Sequence, residues 1–170
     1  MKKFITQSFV AILFLSFIGC SSDDSEKNPD EETPTTKTVM KINKVTVTQM
    51  PFTDSNGADW DTGNGPDIEF SIRDTGDISY LRGPSTFNNV ISSQLPFAWT
   101  GMTSLSVSTS KNIFVQLLED DGAPAKEIIG LVYFTISDYT SGSGAYPATI
   151  TKTRATFDRN TTIKLDVTWE

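Results

Sequence analysis

Apolar and polar residues alternate along much of the chain from residue 39 onward, which is the pattern of β-strands with one buried face. In residues 67–72, for example, Ile68, Phe70 and Ile72 fall on the same face of a strand. Clusters of Gly, Pro, Asn, Asp and Ser separate the apolar segments, as in turns. Seven segments are predicted as strands: 42–48, 67–72, 105–108, 113–118, 128–134, 148–153 and 163–169.

These strands define the fold class, because no segment of ten or more residues shows a convincing helical period. Short strands at this spacing predict an all-β domain, an antiparallel β-sandwich of about eight strands. The domain would span residues 39–170, a length that can bury a core without disulfide bonds. Trp99 and Trp169 are predicted to lie in that core.

The N-terminus has a different pattern. After Met1-Lys2-Lys3, residues 9–18 read FVAILFLSFI and are followed by Gly19 and Cys20. Ten residues, all apolar except Ser16, are too short to cross a hydrocarbon layer of about 30 Å as a permanent helix. The segment resembles the lipobox of bacterial lipoproteins. That resemblance implies that residues 1–19 are a cleaved signal peptide and that Cys20 receives the lipid that anchors the protein in a membrane.

The segment that follows Cys20 is polar and acidic and contains no residue suited to a core. We expect residues 20–38 to form the lipidated cysteine and a disordered tether. The Ser-Ser-Asp-Asp sequence directly after the cysteine resembles an export signal of surface lipoproteins in Gram-negative bacteria. It predicts an outer-membrane lipoprotein at the cell surface, with a periplasm-facing location as the alternative.

Composition narrows the chemistry that the domain can perform. The chain contains no His and one Cys, and its net charge is -7. The negative charge argues against a nucleic-acid partner. Without His, the commonest general base is absent and any bound metal must be held by oxygen atoms, which favours calcium. We therefore predict a protein that is not an enzyme, although the acidic residues leave open a hydrolase with a pair of carboxylates.

Three features together resemble a C2 domain, an eight-stranded β-sandwich that often binds calcium in loops at one end. An acidic loop links the strands at 42–48 and 67–72, and Leu117-Leu118-Glu119-Asp120-Asp121 is similar to the second acidic loop of that family. Glu127-Ile128-Ile129-Gly130 resembles the segment that follows it. The resemblance, together with the acidic loop, implies these calcium ligands: Asp54, Asp59, Asp61, Asp67, Glu119, Asp121 and Glu127.

The same residues have a simpler interpretation, since Asp and Asn in Gly-rich loops are ordinary turn formers that bind their own backbone. An EF-hand is excluded, because the twelfth position counted from Asp59 is Phe70 rather than Glu.

The function expected from the sequence is that of a membrane-anchored, C2-like, calcium-binding module for interaction or structure, with an unidentified protein or glycan as its partner. The alternative is a carbohydrate-binding accessory lipoprotein that uses Trp60 and the acidic loop residues. For Trp60 itself we favour the role of a lid that closes one end of the sandwich.

Overall fold

The structure is a computed structural model, and it describes residues 35–75, 77–122, 126–156 and 159–170. The predicted signal peptide, the lipidation site Cys20 and residues 20–34 of the predicted tether lie outside the described residues. The chain divides between Thr35 and Thr36, and the fold below is that of the second unit, Thr36–Glu170.

The described residues form nine strands and two short 3-10 turns. The strands are β1 (Val39–Gln49), β2 (Ile68–Asp74), β3 (Asp77–Arg82), β4 (Phe97–Trp99), β5 (Leu105–Ser108), β6 (Asn112–Glu119), β7 (Glu127–Thr135), β8 (Thr149–Thr156) and β9 (Arg159–Trp169). The 3-10 turns cover Ser92–Gln94 and Ile136–Tyr139. Within the described residues, no helix has the length and apolar character needed to span a bilayer.

The strands assemble into two antiparallel sheets. In the first sheet, β4 and β5 both pair with β1, which is followed by β9 and β8. The second sheet has the order β3-β2-β6-β7. The prediction of an all-β antiparallel sandwich is thereby confirmed. The seven predicted strands correspond to β1, β2 and β5 to β9, whereas β3 and β4 were not predicted.

The core lies between the sheets and is built from alternate residues of each strand. In β6, Ile113, Val115 and Leu117 all face inward and are fully buried. In β1, a register shift between Ile42 and Lys44 inserts one extra residue. That bulge keeps the apolar residues on both sides of it facing the core, because one added residue reverses the alternation.

The two sheets approach each other closely where β7 meets β9. A Cβ atom added to Gly130 would lie 2.2 Å from Oγ1 of Thr161, a residue that is itself fully buried. No side chain larger than hydrogen fits at residue 130 without movement of β9. The glycine therefore sets the spacing of the sheets at this point.

An aromatic cluster closes the other side of the sandwich. The ring of Trp99, in β4, lies 4.6 Å from that of Phe70, in β2, and 5.1 Å from that of Phe87. The indole N–H of Trp99 donates a hydrogen bond of 2.7 Å to the carbonyl oxygen of Ser85. The predicted core position of Trp99 is confirmed, and Trp169 is partly buried against the same core.

The ends of the domain lie together at one pole. The backbone amides of Thr38 and Val39 both donate to the carbonyl oxygen of Glu170, at 2.7 and 2.9 Å. The loop that joins β1 to β2, residues 50–67, begins at the opposite pole. At that pole β6 also ends and β7 begins. We call that opposite pole the loop end.

We predict that Gly130→Ala lowers the free energy of unfolding by about 1–3 kcal/mol, because the added methyl group overpacks the contact with Thr161. Urea denaturation of the variant measures the loss. Gly144→Ala is the matched control: nothing lies within 4 Å of the added atom, so we expect a change within about 0.5 kcal/mol. Thr161→Ala should reduce the cost of Gly130→Ala in a double-mutant cycle. Equal effects of the two glycine substitutions would contradict this packing argument.

Candidate cation site

Three carboxylates from two separate segments converge at the loop end. Asp61 comes from the loop between β1 and β2, Glu119 is the last residue of β6, and Asp121 follows it in the turn towards β7. One carboxylate oxygen from each lies within 4.8 Å of those from the other two. The structure thus brings together residues from both of the acidic segments that the sequence singled out. We call these three residues the acidic cluster.

Glu119 occupies its place because of strand alternation. It continues the inward series of β6 after Leu117, so its side chain points towards the core and is only 1% exposed. Its Oε1 atom accepts a hydrogen bond of 2.9 Å from the backbone amide of Asp67. Its Oε2 atom is buried and has no hydrogen-bond partner. Most buried polar atoms are paired, so an unpaired carboxylate oxygen beside two other carboxylates requires an explanation.

Asp67 adjoins the acidic cluster through its backbone. Its carbonyl oxygen accepts a hydrogen bond of 2.9 Å from the amide of Asp120, and one of its carboxylate oxygens accepts one of 2.7 Å from the amide of Asn89. Its carboxylate also acts electrostatically on both Asp61 and Glu119. Asp67 therefore fixes the backbone of the site and adds negative charge to it.

The electrostatics of the site reflect burial and crowding of like charges. The pKa of Glu119 is raised to about 7, chiefly by burial and also by the carboxylates of Asp61, Asp121 and Asp67, while the hydrogen bond from the amide of Asp67 lowers it. The pKa of Asp61 is also raised, first by burial and then by Asp121. Without a cation, the ionised form of Glu119 is disfavoured because it is both desolvated and surrounded by negative charge.

The other predicted ligands lie elsewhere on the loop end. Asp54 turns back on its own loop, where its carboxylate accepts hydrogen bonds of 2.8 Å from the amides of Asn56 and Ala58. The bond from Ala58 is the main reason that the pKa of Asp54 is lowered. The simpler turn interpretation thus describes Asp54. Asp59 lines a separate cleft, and the structure does not bring it, Asp54 or Glu127 into the acidic cluster.

Trp60 and Arg159 form a second group, together with Asp54 and Glu127. The guanidinium of Arg159 lies 5.7 Å from the centre of the Trp60 ring, and it donates a hydrogen bond to the carbonyl oxygen of Thr53. The indole N–H of Trp60 donates to the carbonyl oxygen of Pro51 at 3.3 Å. The ring is partly buried against the core. These contacts are those expected of a lid.

Lys126 is a component of the loop end that sequence reasoning missed. Its ammonium group lies 2.8 Å from a carboxylate oxygen of Glu69, in β2, and 2.7 Å from one of Asp120. Glu69 is buried, and Lys126 and Asp120 are partly buried. Asp120 lies between Glu119 and Asp121 in the sequence. The two ion pairs of Lys126 therefore link the segment that contains these two clustered carboxylates to β2. The sequence offers no spacing pattern that would have identified this lysine.

Comparisons with known proteins agree on the fold alone. No protein-family model and no curated protein matches the sequence. Among solved structures, a human GIVD cytosolic phospholipase A2, in complex with methyl gamma-linolenyl fluorophosphonate inhibitor and terbium chloride, aligns with a TM-score of 0.53 at 9% identity over 79% of this chain. A C2 domain of a plant extended synaptotagmin 1 aligns with a TM-score of 0.51 at 13% identity, over 79% of this chain and 96% of that domain.

The domain therefore has a C2-like β-sandwich fold, as the sequence predicted. The chain spans only 18% of the length of the phospholipase, so the similarity does not extend to that enzyme as a whole. At these identities the likeness defines an architecture. The case for a bound cation comes from the residues of the acidic cluster.

We predict that the stability of the metal-free protein falls as the pH rises through about 7. The pKa of Glu119 is about 7 in the folded protein, against an ordinary value of 4.5, so between these values the folded state binds a proton more tightly than the unfolded chain. The protonation of Glu119 thus adds up to about 3 kcal/mol to the free energy of unfolding. This stabilisation is fully present below pH 4.5 and is lost as the pH rises through 7. Chemical denaturation in a chelator across this pH range measures it.

Glu119→Gln tests the assignment of this pH dependence. The neutral amide keeps an acceptor for the amide of Asp67 and offers N–H donors to the neighbouring carboxylates. We expect the variant to be more stable than the wild type above pH 7 and to lack the decline. Asp138→Asn, an exposed residue at the opposite pole, should retain it. A wild type whose stability is flat from pH 5 to 8 would refute the prediction.

Proposed function

We propose that the domain binds calcium through Asp61, Glu119 and Asp121, with Asp67 adding negative charge beside the ion. The observation that supports this most directly is the Oε2 atom of Glu119, which is buried, unpaired and next to two other carboxylates. An acidic cluster at a surface needs no ligand, but a desolvated and unpaired carboxylate oxygen is costly unless a cation approaches it.

The spacing of the oxygens suits calcium. Calcium binds oxygen at about 2.3–2.6 Å, so two oxygens on one ion lie up to about 5 Å apart. The clustered oxygens, within 4.8 Å of one another, meet that limit. The cluster brings together one oxygen from each of three carboxylates, and calcium takes about six to eight, so water or an external ligand would supply the rest.

At the level of the whole protein, we propose a non-enzymatic interaction module held at the outer membrane by a lipid on Cys20. The lipobox-like sequence supports the anchor, and the C2-like fold and the acidic cluster support the module. Metabolic labelling with a radioactive or clickable fatty acid, compared between the wild type and Cys20→Ala, tests the anchor.

We predict that millimolar calcium raises the melting temperature of the protein by several degrees. A ligand at 100 times its Kd adds about 2.7 kcal/mol to the free energy of unfolding. Asp61→Asn and Glu119→Gln should abolish the shift, because each removes a charged ligand, whereas Asp138→Asn should preserve it. Terbium luminescence sensitised by Trp60, the neighbour of Asp61, gives an independent titration. Calcium that leaves the melting temperature unchanged, or shifts Asp61→Asn equally, would refute the proposal.

A further inference from the structure

A cleft of about 730 Å³ opens beside the acidic cluster at the loop end. Its walls combine apolar surface from Phe52 and Ile91 with the exposed polar side chains of Asn64 and Asn89, and Asp59 also lines it. Apolar walls with a few polar groups are the usual composition of a small-ligand site. Trp60 lines a different pocket, together with Arg159 and Ile128.

The cleft is built by a close approach of two backbone segments. A Cβ atom on Gly65 would lie 2.1 Å from the carbonyl oxygen of Val90, so only glycine fits there. The amide of Val90 donates a hydrogen bond of 2.9 Å to the carbonyl oxygen of Pro66. These contacts hold the segment around residue 90 against the loop between β1 and β2, and they fix the walls of the cleft in place.

The same backbone segments connect the cleft to the acidic cluster. Asn64, in the cleft, forms an isolated β-bridge with Asp61, in the cluster. The amide of Asn89, in the other wall, donates to the carboxylate of Asp67 at 2.7 Å. Two residues that line the cleft are therefore bonded directly to Asp61 and Asp67.

Charge limits the kind of ligand that this cleft can take. Asp61, Asp67, Glu119 and Asp121 together have four negative charges when ionised, and calcium supplies two positive ones. The charged groups that act on Asp61 and Glu119 are all carboxylates, and Lys126 is paired with Glu69 and Asp120. The occupied site thus remains negative, and it would repel an anionic headgroup while accepting neutral hydroxyls.

We propose that the cleft binds a neutral, hydroxyl-rich ligand, such as the end of an uncharged glycan, in a calcium-dependent way. The amides of Asn64 and Asn89 and the carboxylate of Asp59 supply donors and acceptors for hydroxyl groups, and Ile91, with the partly exposed Phe52, offers apolar surface to the C–H face of a sugar ring. Through Asp61 and Asp67, a bound ion would hold the walls that contain Asn64 and Asn89 in place. This proposal rests on the proposed calcium site.

The test uses the full chain and a panel of immobilised neutral oligosaccharides, with calcium or with a chelator, alongside vesicles of phosphatidylcholine with phosphatidylserine. We expect calcium-dependent binding to at least one neutral oligosaccharide and no preference for the anionic vesicles. Asn64→Ala and Ile91→Ala should each weaken glycan binding by about tenfold. Ile128→Ala is the matched control, because Ile128 is also an exposed isoleucine of the loop end but lines the Trp60 pocket.

The outcomes separate this proposal from the calcium site itself. Calcium should shift the melting temperature of Asn64→Ala and Ile91→Ala as it does the wild type. A calcium shift without binding to any neutral oligosaccharide, stronger binding to the anionic vesicles, or a greater loss in Ile128→Ala than in Ile91→Ala would overturn the cleft proposal and leave the ion site standing. No calcium shift in the wild type would remove both.

Discussion

The period of two along β6 is the constraint on which the loop end depends. Because alternate side chains of a strand face the same side, the inward series that buries Ile113, Val115 and Leu117 also turns Glu119 inward. A carboxylate thus stands at a position that the core would otherwise fill with an apolar side chain. Pairing with β2 on one side and β7 on the other fixes the register of β6, so the side chain of Glu119 cannot turn to solvent without breaking the sheet.

The surroundings of Glu119 show how the fold accommodates that placement. The amide of Asp67 satisfies one carboxylate oxygen, and Lys126 holds the following turn against β2 through Asp120 and Glu69. Neither contact reaches the second oxygen of Glu119. The neighbours are arranged to support the position of the carboxylate rather than to neutralise it, which is the arrangement expected where a binding site is kept at some cost in stability.

The sequence predicted the architecture because the strands that build it have a clear period. The missed strands are short or poorly patterned: Phe97–Trp99 has only three residues, and Asp77–Arg82 shows no clean alternation. They pair with β1 and β2 respectively, and for Phe97–Trp99 that partner is distant in the sequence.

Part of the candidate site could also be predicted from the sequence. Asp61, Glu119 and Asp121 were all among the expected ligands, since acidic residues in two loops of a sandwich can meet at one end. Which of the loop carboxylates turn inward could not be predicted, because that depends on how the loop closes. Asp54 is held by the amides of its own turn, a local contact that competes with any ion. The cleft depends on the contact between Gly65 and Val90, which no local pattern indicates.

The start of β1 and the end of β9 meet at one pole, where Thr38 and Val39 bond to Glu170. Whatever precedes Thr36 joins the sandwich at the pole opposite to Glu119, so the point of attachment and the loops are separated by the full length of the strands. A change in chain length before Thr36 would therefore leave the groups that the loops display unaltered.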